Sequence, residues 1–430
     1  MKAVPMHISG ENCITHRKNF RILLASCLLV AAMRSTIVAG TIYVDSRADG
    51  SNNGSSWADA YKYLQDALAD ADSAEKPVEI LIAQGVYKPD QGRGKNPNDR
   101  GTTFQMINGV AFKGGFAGSD APNPDARDIR LYKTVLSGDL TGNDVAVNDP
   151  RDLLDESTRT ENSYHVVTSN MTGKTAVLDG LTITAGSRNG MYNKRGSPVI
   201  INCTFSENCA DRWGGGMCNE NGSPSLSHCI FSRNLAQYGG GIWNFKGAPI
   251  LTCCTFTGNS ATYGGAIYNY DNSHPQMTCC TFTGNSATHG GCIYNNKNCR
   301  PIVTNCTLTG NSANSDGGAM RNLHYSSPIL TNCILWGNSP DEIIDYFMSS
   351  STVSYSYVQG GTGNPWFGKG CIDGDPLFFG ANNLRLSPGS PCIDAGDNSA
   401  VPSEITTTID GMPRIFNGTV DMGAFEAGSI

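Results

Sequence analysis

The sequence has 430 residues, of which 50 are glycine, 39% are hydrophobic and only 16% are charged. This composition is typical of a turn-rich all-β protein built from short strands. The formal net charge is −7 and no basic patch occurs along the chain, so the electrostatics argue against nucleic acid as a partner.

Residues 1–40 have the pattern of a secretory signal peptide. Basic side chains between residues 16 and 21 precede an apolar stretch from Ile22 to Met33, and small residues follow near position 40, where cleavage is expected. We therefore predict an exported protein whose mature chain begins near Gly40 or Thr41. Export would place its fourteen remaining cysteines in a compartment that permits disulfides.

Two further features of the sequence concern attachment to a membrane. The string Leu24-Ala25-Ser26-Cys27 resembles a bacterial lipobox, but only five residues separate Arg21 from Cys27, which is short for the apolar core of such a signal. After residue 40 no run of about 20 apolar residues occurs, so the mature chain is predicted to lack a transmembrane helix.

The mature N-terminus predicts a strand, a polar loop, a helix and a second strand between Thr41 and Pro89. Ser56 can cap a helix that runs through Ala69. Its apolar residues at helical spacing are Trp57, Tyr61, Leu64 and Leu68. A short amphipathic helix in front of stacked strands would cover their exposed apolar end.

The segment before the repeats contains further strands and a charged excursion. Residues 104–116 and 134–140 are predicted strands. Residues 149–162 carry many charges and little to bury, which predicts a loop that leaves the main body.

The most oxygen-rich cluster lies in the string SGDLTGND. Asp139, Asn143 and Asp144 are weak candidates for a structural Ca²⁺ site, and Asp179 can approach them from the next strand. No other cofactor is predicted.

A sequence motif is repeated six times in the middle of the chain, with a period of about 26 residues. The copies start at Pro198, Pro224, Pro249, Pro275, Pro301 and Pro328. A Cys follows each Pro by five positions, at Cys203, Cys229, Cys254, Cys280, Cys306 and Cys333. Fixed offsets of this kind indicate one supersecondary unit stacked on copies of itself.

Each copy predicts three short strands and three corners. The apolar columns two, five and seven positions after Pro break strict alternation, so the backbone must bend between them. One copy is then one coil of a parallel β-helix, and crossovers of this type are right-handed by strong preference. We predict an all-β, right-handed parallel β-helix over residues 41–370, regular over 190–340, with a small β-rich module at 371–430.

The Cys column shares a strand face with Phe256 and its equivalents, which predicts burial. Reduced packing as small hydrophobic residues is one interpretation, and partial disulfides between neighbouring coils are another. A metal site from the doublets at 253–254 and 279–280 is the third, although adjacent strand residues face opposite ways. Cys371 and Cys392 form a separate candidate disulfide.

Two Asn columns recur at the corners of the coils. They are Asn208, Asn234, Asn259, Asn285, Asn311 and Asn338, and Asn193, Asn219, Asn244, Asn269, Asn295 and Asn322. Asn tolerates left-handed backbone and its amide can bond to the Asn of the next coil, so both columns are predicted to be structural.

Two columns of mainly aromatic residues lie beside the glycine doublets. The first is Tyr192, Cys218, Trp243, Tyr268, Tyr294 and Arg321. The second is Trp213, Tyr238, Tyr263 and His289. Side chains on a strand alternate between the two faces, so a residue that follows an inward-facing Ile is predicted to face outward, as in the first column. Together the rings of the two columns predict a flat aromatic ribbon. The ribbon either stacks only on itself to stabilise the sheet or binds a glycan or partner.

The strings GGAIYN and FTGN, at 264–269 and 256–259, resemble the GGA[ILV] and FxxN motifs of the polymorphic outer membrane protein repeat family. The opening TIYVDSRADGSNNGSSWADAYKYLQDAL and the later LSGDLTGND and LDGLTIT are similar to secreted bacterial β-helix proteins of the pectate-lyase-like class. The stretch from DPLFF to VDMGAFE resembles a C-terminal choice-of-anchor module, although only AGSI follows it here. These resemblances imply a bacterial protein that is secreted or held at the cell surface or outer membrane.

The expected function is adhesion or carbohydrate binding through the aromatic ribbon, with a polysaccharide or cell-surface partner. A polysaccharide lyase or glycoside hydrolase of the pectate-lyase-like class is the alternative. The acids are scattered, and the loops in the regular repeats are too short to wall a pocket, so we predict no catalytic residue. A purely structural surface component is the third interpretation.

Overall fold

A computed structural model describes residues 40–380 and 383–428 of the chain. The predicted signal peptide and lipobox lie outside these residues. Within them the chain winds through three sheets, A, B and C, and each strand pairs in parallel with the strand one coil later. These crossovers are of the type that is right-handed in nearly all proteins. The predicted right-handed parallel β-helix is confirmed.

The strands fall into four parallel sheets and one antiparallel pair. Sheet A has Gly40–Val44, Val78–Ala83, Val110–Phe116, Val177–Asp179, Val199–Ile201, Ser225–Ser227, Ile250–Thr252, Gln276–Thr278, Ile302–Thr304, Ile329–Thr331 and Thr352–Ser354. Sheet B has Gly85–Tyr87, Thr134–Ser137, Thr182–Thr184, Thr204–Ser206, Ile230–Ser232, Thr255–Thr257, Thr281–Thr283, Thr307–Thr309, Ile334–Trp336 and Tyr357–Val358. Sheet C has Phe104–Gln105, His165–Asn170, Asn189–Lys194, Met217–Glu220, Ile242–Phe245, Ile267–Tyr270, Ile293–Asn296, Met320–Leu323 and Ile343–Asp345. Sheet D, between B and C along the chain, has Leu235–Tyr238, Ser260–Tyr263, Ser286–His289 and Ser312–Asp316. The antiparallel pair is Phe378–Gly380 with Asn383–Leu386.

The N-terminal helix is shorter than predicted and runs from Leu64 to Ser73. Ser56 does not cap it, because its hydroxyl bonds to Asp59 in a local turn. The indole of Trp57 donates to Asp125 at 2.8 Å and packs on Phe116, away from the helix. Leu64 and Leu68 join the main core, as a cap over the first coil requires. The predicted cap is therefore confirmed, and the predicted start of the helix is wrong.

The interior of the β-helix is built from columns of identical side chains. All six cysteines of the repeat column are fully buried, as are the phenylalanines two positions later. Their rings stack, with centroids of Phe205, Phe231, Phe256 and Phe282 separated by 4.7, 4.8 and 4.9 Å along the axis. The burial predicted from the strand register is confirmed.

The fourteen cysteines of the described residues are free thiols. The predicted Cys371–Cys392 disulfide is absent among these residues, because the two side chains serve different clusters. Cys392 packs with Ile334 and Leu386, whereas Cys371 packs against the main core. In the repeats, reduced packing is the interpretation that the structure supports.

Both Asn columns form continuous hydrogen-bonded ladders buried in the corners. In the first ladder each side-chain Nδ2 donates to Oδ1 of the next Asn at 2.7 to 3.1 Å. The last donor, Asn338, bonds to the carboxylate of Glu342 at 2.6 Å. The second ladder runs the same way and ends on Asp345, which accepts from Asn322 at 2.8 Å. The structural role predicted for the Asn columns is confirmed.

Glu342 makes the stability of this end of the molecule depend on pH. Burial raises the pKa of Glu342 from its ordinary value of 4.5 to about 8. Two hydrogen bonds from Asn338 act in the opposite direction but are outweighed. The folded state therefore holds a proton that the unfolded state releases, so stability falls as pH rises from about 4.5 to about 8. We expect urea unfolding of Glu342→Gln to lack this decline. The exposed variant Glu75→Gln should keep the parental decline, and a decline in Glu342→Gln equal to the parent's would contradict the assignment.

The charged excursion buries more than its sequence suggested. It contains the 3-10 turns Pro150–Leu154 and Ser157–Arg159. Leu153 packs with Cys209 and Leu235 at the start of sheet D. Arg159 is 6% exposed and pairs with Asp144 at 2.9 Å. The expectation of little to bury is wrong, since the apolar partners of Leu153 lie more than fifty residues further along the chain and are not visible in the local pattern.

The C-terminal segment returns along the outer face of sheet B. Thr307 and Ile334 point outward there, yet they are 0% and 1% exposed, whereas the equivalent Ile230 is 42% exposed. Backbone N–H of Ala424 donates to Thr307 Oγ1 at 3.0 Å, one of several bonds that fix the segment. From Gly40 onward the chain is one compact unit.

Candidate functional site

The two aromatic columns lie on adjoining sheets in exact strand register. Sheet C pairs Tyr192 with Cys218, then Trp243, Tyr268 and Tyr294. Sheet D pairs Tyr238 with Tyr263 and His289, and a bridge from Trp213 extends this column by one coil. The glycine doublet between the sheets makes the turn possible. A side chain at Gly264, where φ is +67°, would collide with the carbonyl oxygen of Ile267.

The rings form a groove rather than the flat ribbon predicted. Within a column they stack, with centroids of Tyr268 and Tyr294 at 5.0 Å and of Tyr238 and Tyr263 at 5.2 Å. Across the columns the tyrosines meet tilted or edge to face, as for Tyr263 and Tyr294 at 5.4 Å and 80°, whereas Trp213 stacks on Trp243 at 5.4 Å and 24°. The strands of sheets C and D follow each other through a tight turn, so the two columns pack against one another.

This packing divides the predicted residues into a floor and a rim. Trp243, Tyr268 and Tyr294 form the floor and are 8%, 5% and 4% exposed. They belong to a cluster separate from the interior core, so the rings do point outward. Trp213 on the rim is 45% exposed. The other rim rings, Tyr192, Tyr238 and Tyr263, are half-buried.

A third column deepens the groove to a volume of about 1420 Å³. Phe245 and Tyr270 come two positions after Trp243 and Tyr268 on the same strands, and the same alternation predicts them outside. Lys297 donates to the hydroxyl of Tyr270 at 2.6 Å. Phe245 and Tyr270 were not predicted as site residues, although the two-residue alternation along their strands already placed them on the outer face.

Charged and hydrogen-bonding groups gather at the start of the groove. The hydroxyl of Tyr192 donates to Glu220 at 2.6 Å, and burial raises its pKa. The ring of His165 stacks on Tyr192 with centroids 5.1 Å apart. Burial, and then the nearby Arg188, lower the pKa of His165 to about 4, so this imidazole is neutral at pH 7. Asp211 and Arg212 also line this part of the groove.

The row of sheet D ends on a charged triad. His289 stacks on Tyr263 with centroids at 5.4 Å. Its Nδ1 lies 3.1 Å from Asp316 Oδ1, and the Nε atom of Arg321 lies 3.0 Å from the same oxygen. The guanidinium of Arg321 also covers the ring of Tyr294 at 5.3 Å. Both ends of the ring rows therefore carry polar groups. The sequence placed His289 and Arg321 in the two columns without a role, and it did not point to His165, Glu220 or Asp316.

The weak Ca²⁺ candidates are only partly brought together. Asp139 and Asp144 offer carboxylate oxygens within 4.8 Å of each other and of Glu161, an acid that the sequence did not point to. Asp179 is not part of this group, because it pairs with Arg127 at 2.9 Å. Burial raises the pKa of Asp144, and its neighbour Arg159 already supplies a positive charge, so a cation would have to compete with a guanidinium. The structural Ca²⁺ site stays a prediction.

Comparison with known proteins identifies the type of repeat. The Chlamydia polymorphic membrane protein repeat matches residues 254–270, which run from the ladder Cys254 through the glycine doublet to Tyr270. The chain is thus a parallel β-helix protein with a repeat of the polymorphic membrane protein type. No curated protein matches this chain. Among the described residues, no helix is long and apolar enough to cross a membrane.

Solved structures with a similar overall course include enzymes that act on pectin. Pectate lyase Pel9A aligns with a TM-score of 0.48 and 15% identity, over 90% of this chain and 96% of that chain. Pectin methylesterase PemA from Erwinia chrysanthemi aligns with a TM-score of 0.36 and 13% identity, over 74% and 88%. A Family 28 exopolygalacturonase from Yersinia enterocolitica gives 0.24 and 9%, over 79% of each chain. At this level of similarity, any chemistry of this chain has to be argued from its own residues.

Proposed function

We propose that this protein is exported to the bacterial cell surface and binds an extended carbohydrate in the aromatic groove. The observation that supports this most directly is the rim. Trp213 is 45% exposed beside a groove of about 1420 Å³ whose floor is lined by stacked rings. Exposed aromatic surface that borders a groove is typical of a binding site rather than of packing alone.

The shape of the groove favours a chain-like ligand. Neighbouring coils repeat at about 4.8 Å, and each coil from Tyr192 to Tyr294 contributes at least one ring, with Trp213 in the coil where Cys218 interrupts the first column. The apolar face of a sugar ring can stack on an aromatic ring, and its hydroxyls can bond to groups at the edge. Glu220, Asp211 and Arg212 supply such groups at the start of the groove. A polysaccharide or a glycan on a neighbouring cell surface has this combination of features.

Trp213→Ala tests the proposal with little effect on the fold, because this side chain is half-exposed. We expect the variant to lose affinity by about 1 to 3 kcal/mol, by analogy with the stacking of bases on aromatic rings. The melting temperature should stay close to that of the parent. A glycan array would identify the ligand, and calorimetry with that ligand would then measure the affinities of parent and variant.

Tyr325→Ala is the matched control, since Tyr325 is 55% exposed but does not line the groove. It should bind as tightly as the parent. Equal affinity of the parent and Trp213→Ala for an array-positive glycan would place binding elsewhere. If the array gave no positive glycan while ring truncation lowered the melting temperature, the groove would serve packing alone.

An enzymatic role is the second candidate, in the class of polysaccharide lyases or hydrolases. The observation that favours it is the contact of His289 Nδ1 with Asp316 at 3.1 Å, because a carboxylate in this position can orient an imidazole for proton transfer. Lyase activity on uronic-acid polymers would create unsaturated products that absorb in the ultraviolet. Absorbance that rises with the parent but not with His289→Ala would support catalysis, and no change with the parent on array-positive polymers would argue for binding only.

A further inference from the structure

The corner between sheets A and B carries a column of residues in the left-handed backbone conformation. Its members, with φ from +50° to +55°, are Asn202, His228, Cys253, Cys279, Asn305 and Asn332. This conformation strains most residues that have a Cβ atom, and Asn tolerates it better than most. Cysteine at two successive coils is therefore an unfavourable choice for the turn itself. Backbone geometry thus does not explain why cysteine occupies these two positions.

Cys253 and Cys279 are neighbours on successive coils. Backbone N–H of Cys253 donates to the carbonyl of Thr278 at 3.0 Å, which places the two cysteines in register. Coils repeat at about 4.8 Å, within the Cα separation of about 4.4 to 6.8 Å that a disulfide needs. Both side chains are buried, at 3% and 0% exposed. The separation of their backbones is thus compatible with a disulfide.

A buried arginine from the C-terminal segment covers the pair. Nη1 of Arg414 lies 3.6 Å from Cys279 Sγ, and the arginine is 1% exposed. Its other N–H groups are held by the carboxylate of Glu426 and by backbone carbonyls of the same segment. Because Arg414 cannot release its proton, it is a fixed positive charge beside the sulfur. The geometry favours a thiolate at Cys279.

Cys209 also has an arginine nearby, Arg159, but burial still raises the pKa of its thiol. Burial raises the pKa of Cys292 and of the ladder cysteine Cys333 well above their ordinary value of 9. At Cys279 the hydrogen bond with Cys253 and then the charge of Arg414 outweigh burial and lower the pKa to about 7. The remaining titratable groups that face the pair are Glu426, through Arg414, and the ladder thiols on the core side. Cys279 is distinguished by the guanidinium of Arg414, which lies against its sulfur.

We propose that Cys253 and Cys279 are a redox-active dithiol that low-molecular-weight disulfides oxidise to a disulfide between neighbouring coils when local opening of the C-terminal segment around Arg414 exposes their sulfurs. Cys279 Sγ attacks one sulfur of the small disulfide, whose S–S bond breaks and whose other half leaves as a thiolate. Cys253 Sγ then attacks Cys279 Sγ, forms the protein disulfide and expels the second half. The two protons of the protein thiols end on the two small thiols, and two electrons pass to the oxidant.

Counting thiols tests the proposal. Cys371→Ser serves as the background, because Cys371 is the one cysteine of the described residues that is not fully buried. After exposure to oxidised glutathione and removal of the reagent, the denatured protein should contain two fewer free thiols than the untreated protein. Adding Cys279→Ser should abolish that loss, and adding Cys253→Ser should stop the reaction at a mixed disulfide of Cys279 with glutathione, with the loss of one thiol instead of two. The matched control Cys209→Ser, at another buried cysteine, should keep the loss of two.

The same loss of two thiols in Cys253→Ser and Cys279→Ser would overturn the proposal, and so would an unchanged count in the background protein. The role of Arg414 has its own measurement. The rate of thiol loss should rise with pH around 7 in the background protein. The double variant Arg414→Gln with Glu426→Gln removes both charges together, and circular dichroism would confirm that it folds. Its rate should rise at a pH at least one unit higher, and an unshifted profile would contradict a thiolate held by Arg414.

Discussion

Cys280→Asp should lower the free energy of unfolding by about 3 to 5 kcal/mol, the penalty for an unpaired charge in an apolar interior. Cys280 is fully buried in the ladder, and its Sγ contacts the carbonyls of Leu251 and Thr278 at 3.6 and 3.4 Å. An aspartate there would keep one donor, the backbone N–H of Cys254, but its carboxylate would face the two carbonyl oxygens with no positive charge beside it. Urea unfolding, followed by the near-ultraviolet signal of the aromatic stacks, would measure the loss.

Gln276→Asp is the matched control, since Gln276 lies on the same coil but is exposed. It should change stability by no more than about 0.5 kcal/mol. Cys280→Ser separates charge from polarity, and we expect it to lie between the other two variants. Parental stability of Cys280→Asp would show that this column does not face the interior.

The fold was predictable because its defining pattern is repeated in the chain. The fixed distance from Pro to Cys, as between Pro275 and Cys280, sets the strand register, and the register decides which side chains are buried. The Asn ladders follow from the same distances, because a side chain at one offset must meet its equivalent in the next coil. No contact between distant, unlike segments was needed for these predictions.

Features that depend on unlike segments were missed. The ends of the ladders at Glu342 and Asp345 lie outside the repeat, so nothing in the period pointed to them. Ser56 has the composition of a helix cap, but its hydroxyl is taken up by Asp59 before the helix begins. Arg414 reaches Cys279 across more than one hundred residues, and a single sequence contains no signal for such a contact.

The candidate site was predicted in its residues but not in its shape. Alternation along the strand places Trp243 and Tyr268 outside the core, and the structure has them there. Alternation does not give the angle between sheets C and D, which makes the tyrosines of the two columns meet tilted or edge to face. The floor rings are consequently buried by the rim rings. The side chains that a ligand can reach are those of Trp213 and its half-buried neighbours, so truncating the floor rings would test packing more than binding.

Asn285→Leu should destabilise the protein by about 3 kcal/mol or more, because it removes a residue that completes four buried hydrogen bonds. Its Nδ2 donates to the carbonyl of Phe256 at 3.0 Å and to Asn311 at 2.9 Å. Its Oδ1 accepts from the backbone N–H and the side chain of Asn259 at 3.1 and 2.9 Å. Leucine has nearly the same volume but removes all four bonds in a corner from which water is excluded. Asn311 Oδ1 would keep the bond from the backbone N–H of residue 285, and Asn259 Nδ2 would keep its bond to the carbonyl of Phe231.

Asn285→Asp distinguishes the loss of donors from the loss of shape. The carboxylate can still accept both bonds from Asn259, but it has no hydrogen for Phe256 or Asn311 and faces their oxygens instead. We expect it to be as destabilising as Asn285→Leu at pH 7 and to recover in part at low pH, where a protonated carboxyl donates one bond. The exposed control Asn298→Asp, at a left-handed position with φ of +56°, should stay within about 0.5 kcal/mol of the parent. Parental stability of Asn285→Leu would mean that the ladder is dispensable and that the stacked apolar columns alone hold the coils together.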